Sequence, residues 1–213
     1  MKVQTVCNIL EEFAPLALQE AYDNAGLIVG DPFMEVNGIL ISLDVTMEVL
    51  EEAKRKKCNF ILAHHPLIFN SLKRLVGQNE TERCVIFALK HDLAIYAGHT
   101  NVDNLWNGVN QKIAEKLQLV HTKVLKPLSH QLLKLVTFVP HAHADKVRKA
   151  MFKAGAGSIG NYDSCSYNVE GTGTFKAQEN AHPFVGEHNE FHAEPETRIE
   201  VILPSYLKNS VVN

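Results

Sequence analysis

"GILISLDVTMEVLEEAKRKKCNFILAHH" runs from Gly38 to His65, and its reading decides the fold. "ILISLDV" is a buried-strand run. "TMEVLEEAKRKK" follows with helical character; Thr46 is placed to cap its start, and basic residues fill its last turn, where a helix favours positive charge. "NFILAHH" is a second strand. Downstream the alternation repeats: a loop through "NSLKRLVGQNE", a helix over about Thr81 to His91, a strand in "LAIYAGHT" and a helix in "GVNQKIAEKLQL". Strand and helix in alternation predict an α/β fold, with a parallel or mixed sheet flanked by helices. Upstream, Val3, Val6, Ile9, Leu10 and Phe13 recur at helical spacing and Pro15 marks the end of that helix. "YDNAGLIVGD" then reads as a loop leading to a short apolar segment.

A second unit begins near Ser129, which divides the chain into 1–128 and 129–213. "LLKLVTFVP" reads as a strand. "ADKVRKAMFKAG" is a helix with Val147, Ala150, Met151 and Ala154 on one stripe. "AGAGSIGN" is a glycine-rich turn; with no Lys-Ser/Thr after it, it is not a phosphate loop. "SCSYNVEGTGTFKA" is a strand or strand pair bent at Gly171 and Gly173, and "TRIEVILP" is another strand. Strand, helix, strand, strand is the first part of a ferredoxin-like α+β unit. In the closing "SYLKNSVVN", Ser205 is placed to cap a helix with Leu207, Val211 and Val212 as its apolar face. No closing strand follows, so the unit reads as incomplete and the chain as truncated at its carboxyl end.

Composition narrows the function classes. The 213 residues are 46% hydrophobic and 21% charged, ordinary for a globular protein with a sizeable core. A net charge of -3 gives no electrostatic reason to expect nucleic acid. No apolar run reaches the ~20 residues of a membrane helix. "MKVQTVCNILEEF" lacks the apolar stretch of a signal peptide, so a cytoplasmic location is expected. Cys7, Cys58, Cys84 and Cys165 form no C-x-x-C pair and read as reduced, mostly buried thiols.

The histidines are the unusual feature. In sheets of this kind, ligands gather beyond the carboxyl ends of the strands. His64 and His65 stand at one such end; His99 and Asp103 lie just past the next. Imidazole nitrogen and carboxylate oxygen both suit divalent zinc, manganese or iron. Neighbouring strand residues diverge, and Pro66 ends the regular ladder there. Two diverging histidines can each serve a different ion, with a shared carboxylate between ions ~3.5–4 Å apart. A dinuclear site accounts for the pair better than polar capping of the strand ends does. His99 is open between orienting the ligands from behind and plain strand-end hydrogen bonding. Asp23, Asn24 and Gly26 are open between a loop beside the pocket and a turn. His141 and His143 flank a helix start without an obvious carboxylate partner. His182, His188 and His192 fall in a polar stretch with no closed ligand spacing and read as surface residues.

"YDNAGLIVGD", "LDVT", "ILAHHPLIF", "AGHTNVDN" and "GVNQKIAEKL" occur here in the order seen in one family. Along its whole length the chain resembles the NGG-interacting-factor-three-like proteins, also known as type 2 GTP cyclohydrolase I homologues. "FVPHAHADKVRKAMFKAGAGSIGNYDSCSYNVEGTGTFKA" resembles the ferredoxin-type insert of the longer bacterial members. The resemblance implies a centre with two divalent ions: His64 a ligand of one, His65 of the other, and Asp103 a carboxylate ligand of the first. It also implies a further histidine and a bridging glutamate that this sequence does not contain, so the chain alone is expected to hold metal weakly. The activity implied is hydrolytic opening of the imidazole ring of GTP, or of a related nucleotide, with release of formate. No catalytic residue beyond the metal ligands is assigned. The implied assembly is a ring-like homohexamer. The alternatives are a non-catalytic metal-binding scaffold or regulatory protein, and an inactive fragment.

Overall fold

The computed structural model describes residues 1–129 and 131–213, in two units, Met1–Lys123 and Val124–Asn213. In the first, the chain order is α1 (Val3–Phe13), β1 (Gly26–Val29), β2 (Ile39–Ser42), α2 (Met47–Arg55), β3 (Phe60–Ala63), α3 (Glu80–Lys90), β4 (Ala94–Ala97), α4 (Thr100–Asp103) and α5 (Val109–Lys116). The four strands form one sheet in the order β1-β4-β3-β2. Strands β2, β3 and β4 are parallel, and β1 runs antiparallel to β4. This is the mixed sheet with flanking helices that the alternation predicts.

Local chemistry sets the helix boundaries. The Thr46 hydroxyl accepts the Val49 N–H at 3.4 Å and caps α2, whose last turn carries Lys54 and Arg55. Asn79 caps α3 through its side-chain oxygen, which accepts the Glu82 N–H at 2.8 Å, while its amide donates to the Glu82 carboxylate at 3.0 Å. The first bond satisfies a backbone donor which a helix start otherwise leaves open, and the second holds the capping side chain in place.

The sheet buries a different set of residues on each face. Ile61, Ile95 and Val29 pack against Leu50 and Ala53 of α2 and Cys84, Val85 and Ala88 of α3. Phe60, Ala94 and Tyr96 pack against Val3, Val6 and Cys7 of α1. Gly30 has φ +118°, and a Cβ there would stand 2.7 Å from the Ala94 backbone, so only glycine permits this approach of chain to strand.

The structure corrects expectations in this unit. The buried stripe of α1 is Val3, Val6 and Cys7 with Leu10 beside them, whereas Ile9 and Phe13 are exposed. "ILISLDV" is not a buried strand: β2 is the edge of the sheet, and Ile39, Ile41 and Leu43 lie open. The thiols are all free, but only Cys7 and Cys84 are buried; Cys58 and Cys165 are half-buried. Burial, with the nearby Glu11 charge, pushes the Cys7 thiol up to about 11. Among the described residues, no helix is long and apolar enough to cross a membrane.

The second unit contains β5 (Leu132–Pro140), α6 (His141–Lys153), β6 (Tyr167–Lys176), β7 (Phe191–Pro204) and α7 (Lys208–Val212). Its sheet is antiparallel in the order β5-β7-β6, so the strand that comes last in sequence lies between the two joined by α6. This is the strand order of the first three strands of a ferredoxin-like unit. Val139, Ala144, Met151, Ile199, Val201 and Leu203 form its core, with Val147, Leu207 and Val211 against it. Ala150 is exposed and so leaves the expected stripe of α6.

Strand β6 is continuous instead of bent at its glycines; Gly173 lies beneath the Glu196 side chain, which occupies the space a Cβ would need. Strand β7 begins at Phe191, within the polar stretch that holds His182, His188 and His192, and passes through Pro195. A proline is tolerated there because pairing with β5 ends at Glu196, leaving β6 as the only neighbour.

Candidate metal centre

The parallel register brings Ser42, Ala63 and Ala97 level as the last residues of β2, β3 and β4. Whatever follows them emerges on one rim. Asp44, His65 and His99 each stand two residues past a strand end, and His64 stands one past. Because β1 is antiparallel and Gly26 pairs with Ala97, the Tyr22–Ala25 loop arrives at the same rim. Thus the sheet geometry gathers residues separated by up to eighty positions in the sequence.

His64 and His65 lie beyond the end of β3, so strand alternation does not govern them. Their ring centroids are 5.0 Å apart, and that of His99 lies 5.2 Å from His64 and 5.6 Å from His65. Each of the three offers a ligand atom within 4.8 Å of the others, the one such group among the described residues. His99 thus stands in one cluster with His64 and His65. Asp103 Oδ2 stands 3.9 Å from His64 Nε2.

Hydrogen bonds fix which nitrogen faces the cluster. His64 Nδ1 donates to the Gly98 carbonyl at 2.8 Å, His65 Nδ1 to Asp44 Oδ1 at 2.7 Å and His99 Nδ1 to Asp23 Oδ1 at 2.8 Å. A carbonyl or carboxylate can only accept, so Nδ1 carries the proton in each ring. In a neutral ring so tied, the lone pair lies on Nε2. An imidazole tied through Nδ1 to an oxygen acceptor is the arrangement that orients metal-binding histidines.

The loops around the rim are tied with equal care. Asp23 is a half-buried residue whose side chain is shielded from solvent; its carboxylate takes the His99 ring N–H, the Thr100 hydroxyl and, at 3.0 Å, the Thr100 N–H. Burial alone would raise the Asp23 carboxyl. The donors from Thr100, His99 and the Asn24 and Thr100 amides outweigh it and hold the group below the usual carboxylate range. Asn101, fully buried, accepts the His99 N–H at 3.0 Å and donates to the Ala14 carbonyl at 2.8 Å. The Glu20 N–H donates to Thr100 Oγ1 at 2.9 Å. Segment Thr100–Asp103 is a single helical turn whose side chains bind β4 to the 14–24 segment.

Sequence reasoning placed His64, His65, His99 and Asp103 on this rim and left Asp23 undecided, but missed Asp44. The signal for Asp44 was its position: it follows β2 by the same two residues that separate His65 from β3. Three histidines of the second unit have partners of their own. His141 Nδ1 is 2.7 Å from Thr197 Oγ1, His143 stacks edge-on to Phe184, and His192 Nε2 pairs with Glu194 at 3.0 Å.

The donor set fits a divalent ion. Nitrogens ~2.1 Å from one tetrahedral ion stand ~3.4 Å apart, so the three ligand atoms, which lie within 4.8 Å of one another, draw together on binding a shared ion. Three imidazoles with a carboxylate at hand suit zinc, manganese or iron, with no soft thiolate present to favour copper.

Residues 1–190 match the sequence profile of the Duf34/NIF3 (NGG1p interacting factor 3) family. A "GTP cyclohydrolase 1 type 2 homolog" of Halalkalibacterium halodurans is 42% identical over 210 residues, covering 98% of this chain and 56% of the relative. A Bacillus subtilis protein of the same name is 39% identical over 211 residues, 99% of this chain and 57% of its own. The crystal structure of a Bacillus cereus protein related to NIF3 superposes with a TM-score of 0.85 at 41% identity, covering 100% of this chain and 56% of that one. The chain spans little more than half the length of the curated relatives it matches.

Proposed function

The chain belongs to the Duf34/NIF3 family, and from that premise we propose that its histidine rim holds divalent metal for the hydrolysis of GTP or a related nucleotide. The observation that carries this reading is the triplet of imidazoles, each tied through Nδ1 and each presenting a free Nε2 to a common space. His64 and Asp103 are assigned to one ion and His65 to a second. His99 joins the set as a further donor. Counted without it, the site is too thin to hold metal well. With three imidazoles, one ion has the usual complement of protein ligands, and only the second is expected to be weak. A bound divalent ion supplies Lewis acidity and brings the pKa of water towards neutrality. The protein's own part is to hold the three lone pairs in place: Asp23, Asp44 and the Gly98 carbonyl keep the Nδ1 protons where they are. Division of the chain at 128, assembly as a homohexamer and a cytoplasmic setting belong to the same reading.

Incubation with GTP and manganese or zinc, followed by formate detection, tests the reaction. Formate released by the parent chain and lost in His65→Ala supports it. Tight metal binding with no turnover of GTP overturns it and leaves a metal-holding scaffold.

A further inference from the structure

Two exposed aromatic rings stand beside the imidazole cluster. Phe69 meets His99 edge-on, with ring centroids 6.4 Å apart at 89°, and Tyr22 lies 6.4 Å from Phe69 at 54°. Phe69 is 49% exposed and Tyr22 66%. Neither ring belongs to the two apolar cores of this unit. Scattered exposed apolar residues are common, but two in contact at the mouth of a polar cluster are the apolar wall expected of a small-molecule site.

Both rings ride on the loops that build the cluster. Phe69 follows His64 and His65 by a few residues, and Tyr22 precedes Asp23, the anchor of His99. The Asn24 side chain donates to the Ile68 carbonyl at 2.6 Å, so the two loops are joined beside the rings. Tyr22, Phe69 and His99 thereby form a fixed row. Its aromatic end offers π-faces and, at the Tyr22 hydroxyl, one hydrogen-bonding group.

From this row we infer that Tyr22 and Phe69 are specificity residues, a stacking wall that selects a planar heteroaromatic ring for the space beside the imidazoles. The inference rests on the reading of the rim as a metal centre. Stacking of a base on an aromatic side chain is tolerant of ring identity, so the wall selects flatness and ring character and leaves finer choice to other groups.

The full chain, loaded with zinc, is titrated with guanosine and separately with inorganic triphosphate, and its metal content is measured in parallel. Guanosine affinity is expected to fall ~10-fold in Phe69→Ala and Tyr22→Ala and to return in Phe69→Trp, with triphosphate affinity and metal content unchanged. Equal guanosine affinity in the parent and both alanine variants overturns the wall. So does a parent chain that retains zinc and binds no guanosine. A parent chain that retains no zinc removes the metal reading itself, and the wall falls with it.

Discussion

At the scale of single residues, Asp44 and Asp23 do as much for the rim as the histidines they hold. Their bonds to Nδ1 decide that Nε2 is the atom presented. Loss of such a partner typically lowers metal affinity ~10–100-fold. Asp44→Ala is therefore expected to weaken zinc affinity by about that factor, read by competition with a chromophoric chelator, while the thermal midpoint stays near that of the parent. Asp44 is exposed, so its removal leaves no cavity. An unchanged affinity would show that the His65 ring is held by something other than this bond. The histidines themselves were legible in the sequence because adjacent His residues before Pro at a strand end are distinctive. Asp44 was not, because an aspartate after a strand is commonplace until register shows what stands opposite.

At the scale of elements, the start of α3 shows how one side chain joins loop and helix. The Glu82 carboxylate accepts the Gln78 N–H at 2.9 Å and the Val76 N–H at 3.1 Å, and the Asn79 amide closes the cap. These donors, the Gln78 and Val76 amides first, hold Glu82 below the usual carboxylate range. A group depressed in the folded state contributes stability above its unfolded pKa and loses it as pH falls through the folded value. Thermal midpoints recorded from pH 6 down to pH 3 are thus expected to fall less steeply in Glu82→Gln than in the parent, with the variant the less stable of the two at pH 6. Parallel slopes would contradict this. Elements with strong periodicity, β3, β4, α2 and α3, could be read directly. Helix α4 could not: four residues carry no period, and it is held by the tertiary bonds of Thr100 and Asn101. The first half of β7 was hidden for a related reason. Phe191–Glu196 is a strand segment with no fully buried residue, with polar residues and a proline where apolar alternation would announce a strand.

At the scale of the whole molecule, each of the two units has its own sheet and its own core. Between α5 and β5, residues 117–129 are exposed and carry neither helix nor strand. Brief trypsin treatment is expected to cut first at Lys123, giving two fragments that resist further digestion, seen by intact-mass analysis. Early cutting within α2 or α6 would contradict the division. The family membership is the other statement at this scale, and it rests on matches along nearly the full chain. What the sequence could not convey is how level strand ends convert distant residues into one rim, since that depends on the parallel register of three strands.

The central claim is that three imidazoles with fixed tautomers form a metal centre. Equilibrium dialysis against zinc, followed by metal analysis of the parent and of His99→Ala, tests it most directly. The account predicts about one firmly held ion per parent chain and less than about a tenth of that in the variant. A parent chain that gives up all its zinc, or a variant that retains as much as the parent, would contradict it.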